Sequence, residues 1–445
     1  METDMTKGSP AKLIAGFIVP LIIGNIFQQL YSMVDTIIVG QYCGAKALAA
    51  VGSTGTIMFL IIGFSAGLCT GFTVLTAQRF GAGDMKGMRK SVTTAVYLSI
   101  GVALVLTVFS CLAMSSILKI MQTPEDIFDM AYSYIITICA GMICTIMYNL
   151  LASLMRAIGN SKLPLYTLML ASGLNIVLDL VCIVNFKMGV FGAALATVVS
   201  QGVAAILCIL YILKKVEILK FEKDDWRFDG HLANVEMSIG IPMGLQFSIT
   251  AIGTMMVQTA LNMLGSMAVA AYTVSNKIEM LVTQPFLAMG QTMATYAGQN
   301  WGMNDYKRIN RGIKVACVMT AVYGVVIFGV VMIAAPRLVT LFVSENLGEI
   351  TALNGQYILV TGLFYVPLGL IFIFRNALQS CGYAFLPTMG GVVELVLRAI
   401  VAVAAGFVHS FRGVCFANSA AWVGAAVFLW IGYVYKFKPL LKKQE

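Results

Sequence analysis

Two carboxylates, an amide and a hydroxyl lie in stretches of the chain that are otherwise apolar. Asp35 stands in the run Gln28–Gly40, Asn175 lies one helical turn before Asp179 in a second run, and Thr197 belongs to a third. An ionised side chain in hydrocarbon costs roughly 2.5–3.5 kcal/mol on insertion scales, so it normally faces a protein interior or a watery cavity. Oxygen ligands of this kind suit Na⁺, and a carboxylate pair equally suits a shared proton.

These four residues are predicted to lie at one depth in the membrane. The span that contains Asp35 ends near residue 40 and the span that contains Asp179 ends near residue 186, so both carboxylates fall close to the same side. Thr197 comes about two helical turns after the next span begins. We therefore expect one oxygen-rich site for a cation or a proton in the amino-terminal half. The alternative is a pair of buried carboxylates that only accept hydrogen bonds and fix the helix register.

The composition is that of a membrane protein. The chain has 445 residues, of which 59% are hydrophobic and 11% are charged, whereas soluble domains carry about 25% charged residues. The formal net charge is +9, and the basic residues lie in short loops between apolar runs. Membrane topology explains that pattern better than a nucleic-acid surface does. We therefore expect a lipid bilayer as a partner and no nucleic acid.

A spanning helix needs about 20 apolar residues, which predicts an all-α integral membrane protein with twelve transmembrane helices. Lys214–Val235 is a long polar connection between apolar runs, so we predict an N-lobe over 1–213, a cytoplasmic linker over 214–235 and a C-lobe over 236–445. The predicted spans are 13–40, 47–78, 91–118, 127–157, 163–186, 190–213, 236–264, 267–300, 312–335, 350–380, 385–408 and 413–435.

The basic residues also predict the orientation of the chain. With twelve spans, most Lys and Arg residues outside the spans fall on one side, including those of 79–90, 214–227 and 307–314. The positive-inside rule makes that side cytoplasmic. We expect a multi-pass protein of the cytoplasmic membrane with both termini in the cytoplasm.

The two halves of the sequence repeat each other. With six spans in each half, the two repeats share one topology, and two parallel six-helix repeats around a central cleft suit transport by alternating access. The corresponding pairs are Gly44–Ala50 with Gly265–Ala271, Ala77–Asp84 with Gly298–Asp305, Pro20 with Pro242, Gly159 with Gly382, and Pro164 with Pro387.

The carboxy-terminal half offers no second cluster of this kind. Glu394 and Arg398 are four residues apart in one predicted helix, so we expect a structural ion pair. Lys277 and Glu279 are two residues apart, point to different faces, and either line the cleft or reach a partner such as Arg375. Polar, Met and aromatic side chains that could form an adaptable cleft surface are Gln28, Gln246, Gln258, Lys277, Glu279, Met256, Phe286 and Arg375.

Taken together, these residues resemble the multidrug and toxic compound extrusion (MATE) family over essentially the whole chain. The resemblance implies two six-helix lobes that export cationic or amphipathic drugs in exchange for Na⁺ or H⁺, with Pro20 as the point where the first helix bends. It implies that the N-lobe cation site is formed by Asp35, Asn175, Asp179 and Thr197. The stretches that carry it are Val34–Ile37, Gly44–Gly52, Ala77–Gly81, Gly192–Thr197, Pro242–Gln246 and Gly298–Asn300.

Three other functions share some of these features. A flippase for a lipid-linked oligosaccharide or another lipid-like substrate would share the two-lobed topology, but it would tend to line its cleft with cationic residues. An intramembrane enzyme needs a catalytic constellation such as HExxH, which the sequence lacks, and a channel would not need paired buried carboxylates. We expect no enzymatic activity, no cofactor apart from the coupling ion, drug-like small molecules as substrates, and a monomer.

Overall fold

The computed structural model describes residues 3–340 and 347–444, and within these ranges it consists of helices and connecting turns, without β-strands. The helices of the first half are α1 (Pro10–Cys43), α2 (Ala45–Phe72), α3 (Val74–Gly81), α4 (Met85–Ile120), α5 (Glu125–Ala140), α6 (Met142–Ala157), α7 (Lys162–Asp179) and α8 (Gly189–Lys215). Those of the second half are α9 (Gly230–Asn262), α10 (Ser266–Val282), α11 (Gln284–Gly302), α12 (Tyr306–Val339), α13 (Leu347–Gly362), α14 (Tyr365–Ser380), α15 (Phe385–Phe407) and α16 (Phe411–Lys442).

The described helices account for eleven membrane spans by length and apolarity. Nine are helices long and apolar enough to cross a bilayer, and the pairs α5–α6 and α13–α14 each pass the same test together. The predicted span 267–300 corresponds to α10 and α11. It lies outside this count because α10 has 17 residues and α11 carries the polar residues Gln284, Gln291, Gln299 and Asn300. The all-α, multi-pass prediction is confirmed.

Two predicted spans are broken helices. The spans predicted at 127–157 and 350–380 bend by 50° between α5 and α6 and by 47° between α13 and α14. Glycines allow both bends, because the side chain of Val198 occupies the space of a Cβ on Gly141 and the ring of Phe328 occupies the space of a Cβ on Gly362. A hydropathy window averages over such a break, so it predicted one straight helix in each place.

The repeat predicted from sequence is present in the backbone conformation. Gly44 and Gly265 have φ values of 86° and 91°, and each precedes the first residue of a helix, α2 or α10. Gly159 and Gly382 have φ values of 85° and 86° ahead of α7 and α15. Only glycine adopts this left-handed conformation without strain. The turns before corresponding helices therefore require glycine at the same position in both halves.

The chain forms two compact units. The first consists of Val19–Phe247 with Thr3 and Asp4, and the second consists of Met5–Ile18 with the described part of Ser248–Glu445. Two helices, α1 and α9, therefore contribute to both units. The division of α1 falls between Ile18 and Val19, next to Pro20.

Within the first unit, α2 and the first half of α9 approach each other through glycines. A Cβ on Gly67 would lie 2.6 Å from the carbonyl oxygen of Met243, and one on Gly71 would lie 2.8 Å from the backbone nitrogen of Gly240. Gly240 and Gly244 in turn face the rings of α2. Small residues spaced four apart let two helix backbones pack at short distance in a membrane.

The segment predicted as a linker is folded against α4. The Thr93 hydroxyl donates to the carbonyl of Asp225 over 2.6 Å, and the Tyr97 hydroxyl donates to the carbonyl of Trp226 over 3.0 Å. Arg89 Nε lies 2.8 Å from Asp225 Oδ2. Burial opposes ionisation of the Asp225 carboxyl, but the Glu222 N–H and the Arg89 guanidinium outweigh it and hold the pKa of Asp225 below its usual value.

Asp225→Asn is expected to lower the thermal unfolding temperature at pH 7. The change removes a charge-assisted hydrogen bond to Arg89, which contributes about 1.5–3 kcal/mol. Because the folded pKa is depressed, this stability is present above the unfolded pKa of roughly 3.9 and is lost as the pH falls through the folded pKa. The difference from wild type should therefore narrow below about pH 4.

The matched control is Asp224→Asn, because Asp224 pairs with Arg227 at an exposed position and such pairs contribute about 0–1 kcal/mol. Unfolding of the detergent-purified full chain, followed by intrinsic fluorescence, measures both variants. Equal unfolding temperatures for wild type and Asp225→Asn at pH 7 would contradict the prediction.

Candidate functional site

The two carboxylates predicted from sequence lie next to each other in the first unit. Asp35 of α1 is partly buried, and Asp179, the last residue of α7, is 0% exposed. Their carboxyl groups are close neighbours. A π-helical turn, Leu180–Asn185, begins directly after Asp179. Such turns widen a helix and often occur at functional sites.

Asn175 and Thr197 complete the predicted set. The Asn175 amide donates from Nδ2 to Thr197 Oγ1 over 3.5 Å, and the Thr197 hydroxyl donates to the carbonyl of Ala193 over 3.1 Å. Asn175 is 1% exposed. The Thr197 hydroxyl thus donates to the backbone and accepts from Asn175, and neither of these two hydrogen bonds involves a carboxylate.

The site contains buried acceptors without matching donors. Among the described residues, Asp35 Oδ1, Asn175 Oδ1 and both oxygens of Asp179 have no hydrogen-bond partner. Two adjacent ionised carboxylates repel each other, and a buried acceptor without a donor costs about 1–3 kcal/mol. A proton or a cation bound between the carboxylates would supply the missing partner, and hard cations such as Na⁺ prefer oxygen ligands of this kind.

Three residues of this site were missed by the sequence analysis. Tyr31 and Gln201 line a small cavity together with Asn175 and Thr197, and Tyr31 also lies close to both carboxylates. Tyr134 of α5 does the same. Helical spacing could have found Tyr31, four residues before Asp35, and Gln201, four residues after Thr197. Nothing local points to Tyr134, because only tertiary packing brings α5 to the site.

The remaining first-unit candidates lie in different environments. Pro20 is buried inside α1, Gln28 is exposed on the same helix, and Gln246 is 8% exposed. Their roles as hinge or cleft residues stay predictions.

In the second unit, one carboxylate binds two guanidinium groups. Glu394 Oε1 lies 2.5 Å from Arg398 Nη2, which confirms the predicted ion pair, and Glu394 Oε2 lies 3.0 Å from Arg375 Nη2. Arg375 thus pairs with Glu394, whereas Glu279 accepts a hydrogen bond from the Tyr357 hydroxyl over 2.6 Å. The structure thus gives Arg375 and Glu279 different partners, Glu394 and Tyr357, and a role of Lys277 and Glu279 in lining the cleft stays a prediction.

Other predicted cleft residues divide between exposed and core positions. Lys277 is exposed while Glu279 is partly buried, as their spacing predicted. Gln258 is exposed and donates to Asn262 over 3.0 Å, and Met256 is partly buried. Phe286 is 1% exposed and packs edge-to-face on Tyr323. Phe286 is therefore a core residue in this conformation, although its aromatic type suggested a binding surface.

The sequence matches one protein family twice. The family model described as MatE matches residues 20–181 and 242–404, so one model fits both halves and covers most of the chain. The chain belongs to the MatE family. Each match begins at one of the repeat-related prolines, Pro20 or Pro242. The internal repeat and the family resemblance predicted above are both confirmed.

Curated relatives of this MatE chain cover most of its length. It is 28% identical over 382 residues to the probable multidrug resistance protein YpnP of Bacillus subtilis, with 85% of this chain and 84% of YpnP covered. It is 23% identical over 376 residues to the multidrug export protein MepA of Staphylococcus haemolyticus, with 84% and 82% covered.

Solved structures share the fold of this MatE chain. An outward-facing multidrug resistance MATE transporter superimposes with a TM-score of 0.92 at 23% identity, and a MATE protein in the bent conformation does so with a TM-score of 0.91 at 23% identity. The first comparison covers 98% of both chains, and the second covers 99% of this chain and 98% of the other. The chain is a multi-pass membrane transporter of the MATE fold.

Proposed function

We propose that this MatE protein exports cationic or amphipathic drugs in exchange for Na⁺ or H⁺. The relatives named above are multidrug resistance and multidrug export proteins, and they cover most of this chain. The observation that carries the proposal is the group of buried acceptors around Asp35 and Asp179, which lacks donors among the described residues.

The chemistry of coupling follows from that group. Binding of a proton or Na⁺ removes the repulsion between Asp35 and Asp179 and draws α1 toward α7. Loss of the cation restores the repulsion and favours an arrangement in which α1 is displaced or hydrated. A cationic substrate that binds near Asp35 better in one of these states would be exchanged for the coupling ion. In this scheme Asn175 and Thr197 orient the oxygen ligands, and Tyr31 closes the cavity beside them.

Pro20 is the proposed hinge of α1. It lacks a backbone N–H, so a bend at this point disturbs fewer hydrogen bonds than elsewhere in the helix. The passage of α1 from one compact unit to the other falls between Ile18 and Val19. A bend at Pro20 would change the direction of the part of α1 that carries Asp35.

The placement in the cell is part of the same proposal. The basic loops indicate both termini in the cytoplasm and insertion in the cytoplasmic membrane. We propose a monomer with no cofactor other than the coupling ion. Relatives named for multidrug export favour this function over a lipid-linked oligosaccharide flippase.

Asp35→Asn is expected to reduce gradient-driven drug efflux by about 100-fold. The bound coupling cation loses one of its buried carboxylate partners, and such a loss costs on the order of 3 kcal/mol. Ethidium efflux from proteoliposomes measures this, with the Na⁺ gradient and the pH gradient imposed separately. The gradient that drives the wild type identifies the coupling ion.

The matched control is Asp126→Asn, because Asp126 is exposed and paired with Lys46. It should transport within a factor of about two of the wild type. Full efflux by Asp35→Asn would make the carboxylate pair structural. Failure of the wild type to move ethidium under either gradient would refute drug export.

A further inference from the structure

The first unit contains another buried carboxylate, which the coupling scheme above does not use. Glu236 lies near the start of α9 and is 0% exposed. Neither Oε1 nor Oε2 of this residue has a hydrogen-bond partner among the described residues. An ionised carboxylate that is buried without a donor costs far more free energy than a neutral carboxyl group in the same place. The position of Glu236 therefore favours the protonated acid.

Close helix packing surrounds this part of α9. Gly240 lies one helical turn after Glu236 on the same face of the helix. A Cβ on Gly71 of α2 would lie 2.8 Å from the backbone nitrogen of Gly240, and a Cβ on Gly240 would lie 2.6 Å from the ring of Phe72. Contacts this short leave no space for a hydration shell between α2 and α9. Water therefore cannot reach the carboxyl group along this contact.

The fold does not require a carboxylate at this position. The spacing of 222 residues that relates Pro20 to Pro242 pairs Glu236 with Ile14 of α1. Ile14 belongs to the second unit and is 0% exposed. An apolar side chain thus occupies the corresponding buried position in the other half. Because an apolar residue satisfies the packing there, the carboxyl group of Glu236 needs another explanation.

One basic group lies close to Glu236 but binds elsewhere. Arg79 of α3 is this neighbour, and its Nη1 donates to the carbonyl of Gly87 in the first turn of α4. The spacing of 221 residues pairs Arg79 with Asn300 in the other half. The acid and the base are therefore both present in the first half, and both are replaced by uncharged residues in the second.

The other charged groups of the neighbouring segments are not close to this carboxyl group. Helix α2 has one charged residue, Lys46, which lies at the opposite end of α2 and pairs with Asp126. The titratable residues around the starts of α4 and α9 are Asp84, Lys86, Arg89, Lys90, Asp229 and His231. Among the described residues, neither these nor the pair of Asp35 and Asp179 lie close to Glu236 as Arg79 does.

We propose that Glu236 is a second proton-binding site of the first unit, at the end that the basic loops indicate to be cytoplasmic. Its carboxyl group holds a proton while Arg79 donates to the carbonyl of Gly87. When the proton leaves to the cytoplasm, the guanidinium turns from that carbonyl to the ionised carboxylate and compensates its charge. The site goes beyond the export function, because it does not depend on the substrate or on the coupling ion.

Infrared spectroscopy of the purified full chain in nanodiscs tests for the proton directly. The carbonyl stretch of a protonated carboxyl group is absent from an ionised one, and it shifts in heavy water. At pH 7 we expect a band of this kind that persists in Asp35→Asn and is lost in Glu236→Gln. Glu236→Ile, which copies the residue of the other half, should lose the band as well. It covers the case in which Glu236→Gln does not fold.

The unfolding temperature provides a second measurement with a defined sign. The unfolded chain ionises this glutamate above roughly pH 4.3, whereas the folded chain keeps it protonated, so the wild type loses stability as the pH rises. Glutamine cannot ionise. Glu236→Gln should therefore unfold about 2–4 °C above the wild type at pH 7, and at the same temperature as the wild type at about pH 4.

Arg79→Gln tests the exchange of partners. Without the guanidinium the ionised carboxylate has no compensating charge, so the pH at which the infrared band disappears should rise by about one unit or more. The matched control is Lys86→Gln, because Lys86 is exposed at the start of α4, and it should leave that pH unchanged. Glu217→Gln, at an exposed carboxylate that pairs with Lys220, should leave the band itself unchanged.

Three results would overturn the assignment. An identical band in the wild type and in both Glu236 variants would mean that this carboxyl group is ionised. A difference in unfolding temperature between the wild type and Glu236→Gln that is the same at both pH values would mean that no proton is bound on folding. An unchanged pH of band loss in Arg79→Gln would remove Arg79 as the compensating charge. None of these measurements involves transport, so they leave the export function to its own test.

Discussion

Replacing Asp179 by asparagine is expected to abolish gradient-driven efflux and to leave the folded protein at least as stable as the wild type. The Asp179 side chain is fully buried, and neither of its oxygens has a donor in the described structure. Asparagine has the same shape, removes the repulsion with Asp35 and can donate its amide to the free Oδ1 of Asp35. We expect a gain of about 1 kcal/mol in unfolding free energy and a loss of about 100-fold in efflux.

This pair of opposite effects separates a functional site from a structural one. A residue that only supports the fold loses stability when it is changed, whereas a strained functional group often gains it. Thermal unfolding and efflux should be measured on the same preparation, with the exposed Asp129→Asn as the control on the neighbouring helix α5. A destabilised Asp179→Asn would mean that the carboxylate has a stabilising partner, and a stable, active variant would mean that its charge is not needed.

The cluster of Asp35, Asn175, Asp179 and Thr197 was predictable because its polar residues follow helical spacing that can be read from a sequence. Asn175 and Asp179 lie four residues apart in α7, and apolar surroundings make each polar residue conspicuous. Depth within the spans then placed Asp35 and Thr197 beside them. Tyr134 could not be found in this way, because its side chain reaches the site through the packing of α5, which no local pattern records.

Hydropathy predicted the continuous membrane helices correctly, but it did not predict the points where a span is broken into two helices. The breaks at Gly141 and Gly362 depend on side chains of other helices, Val198 of α8 and Phe328 of α12. The linker was predicted as a simple connection because it is polar. Its attachment to α4 depends on the carboxylate of Asp225 meeting Arg89, a pairing 136 residues apart in sequence.

In the second unit, sequence spacing could predict ion pairs within one helix but not those between helices. Spacing predicted the pair of Glu394 and Arg398, because both lie on one helix. It could not assign Arg375, because this arginine lies in α14 and the carboxylate it contacts, Glu394, lies 19 residues away in α15. The sequence also does not show that the Arg398 guanidinium packs against Gly253 of α9, because this contact joins two helices that are far apart in the chain.

Gly71→Ala is expected to destabilise the first unit strongly, because the new methyl group would meet backbone rather than a movable side chain. It would contact the Cα of Gly240 and lie 2.8 Å from that residue's nitrogen. Backbone atoms of a packed helix cannot rotate away, so α2 and α9 must separate. Overpacking of this kind costs about 1–3 kcal/mol and occasionally more. The double change Gly67→Ala and Gly71→Ala places two methyl groups one turn apart on the same contact, and we expect little folded protein.

The matched control for this prediction is Gly101→Ala in α4, where a Cβ meets nothing within 4 Å. Alanine there should be neutral or stabilise the helix by up to about 1 kcal/mol, since it has the higher helix propensity. Fluorescence-detected size-exclusion chromatography after heating measures the folded fraction of all three variants. If Gly71→Ala matches Gly101→Ala, the α2–α9 contact has room for a side chain, and its glycines are not required by close packing.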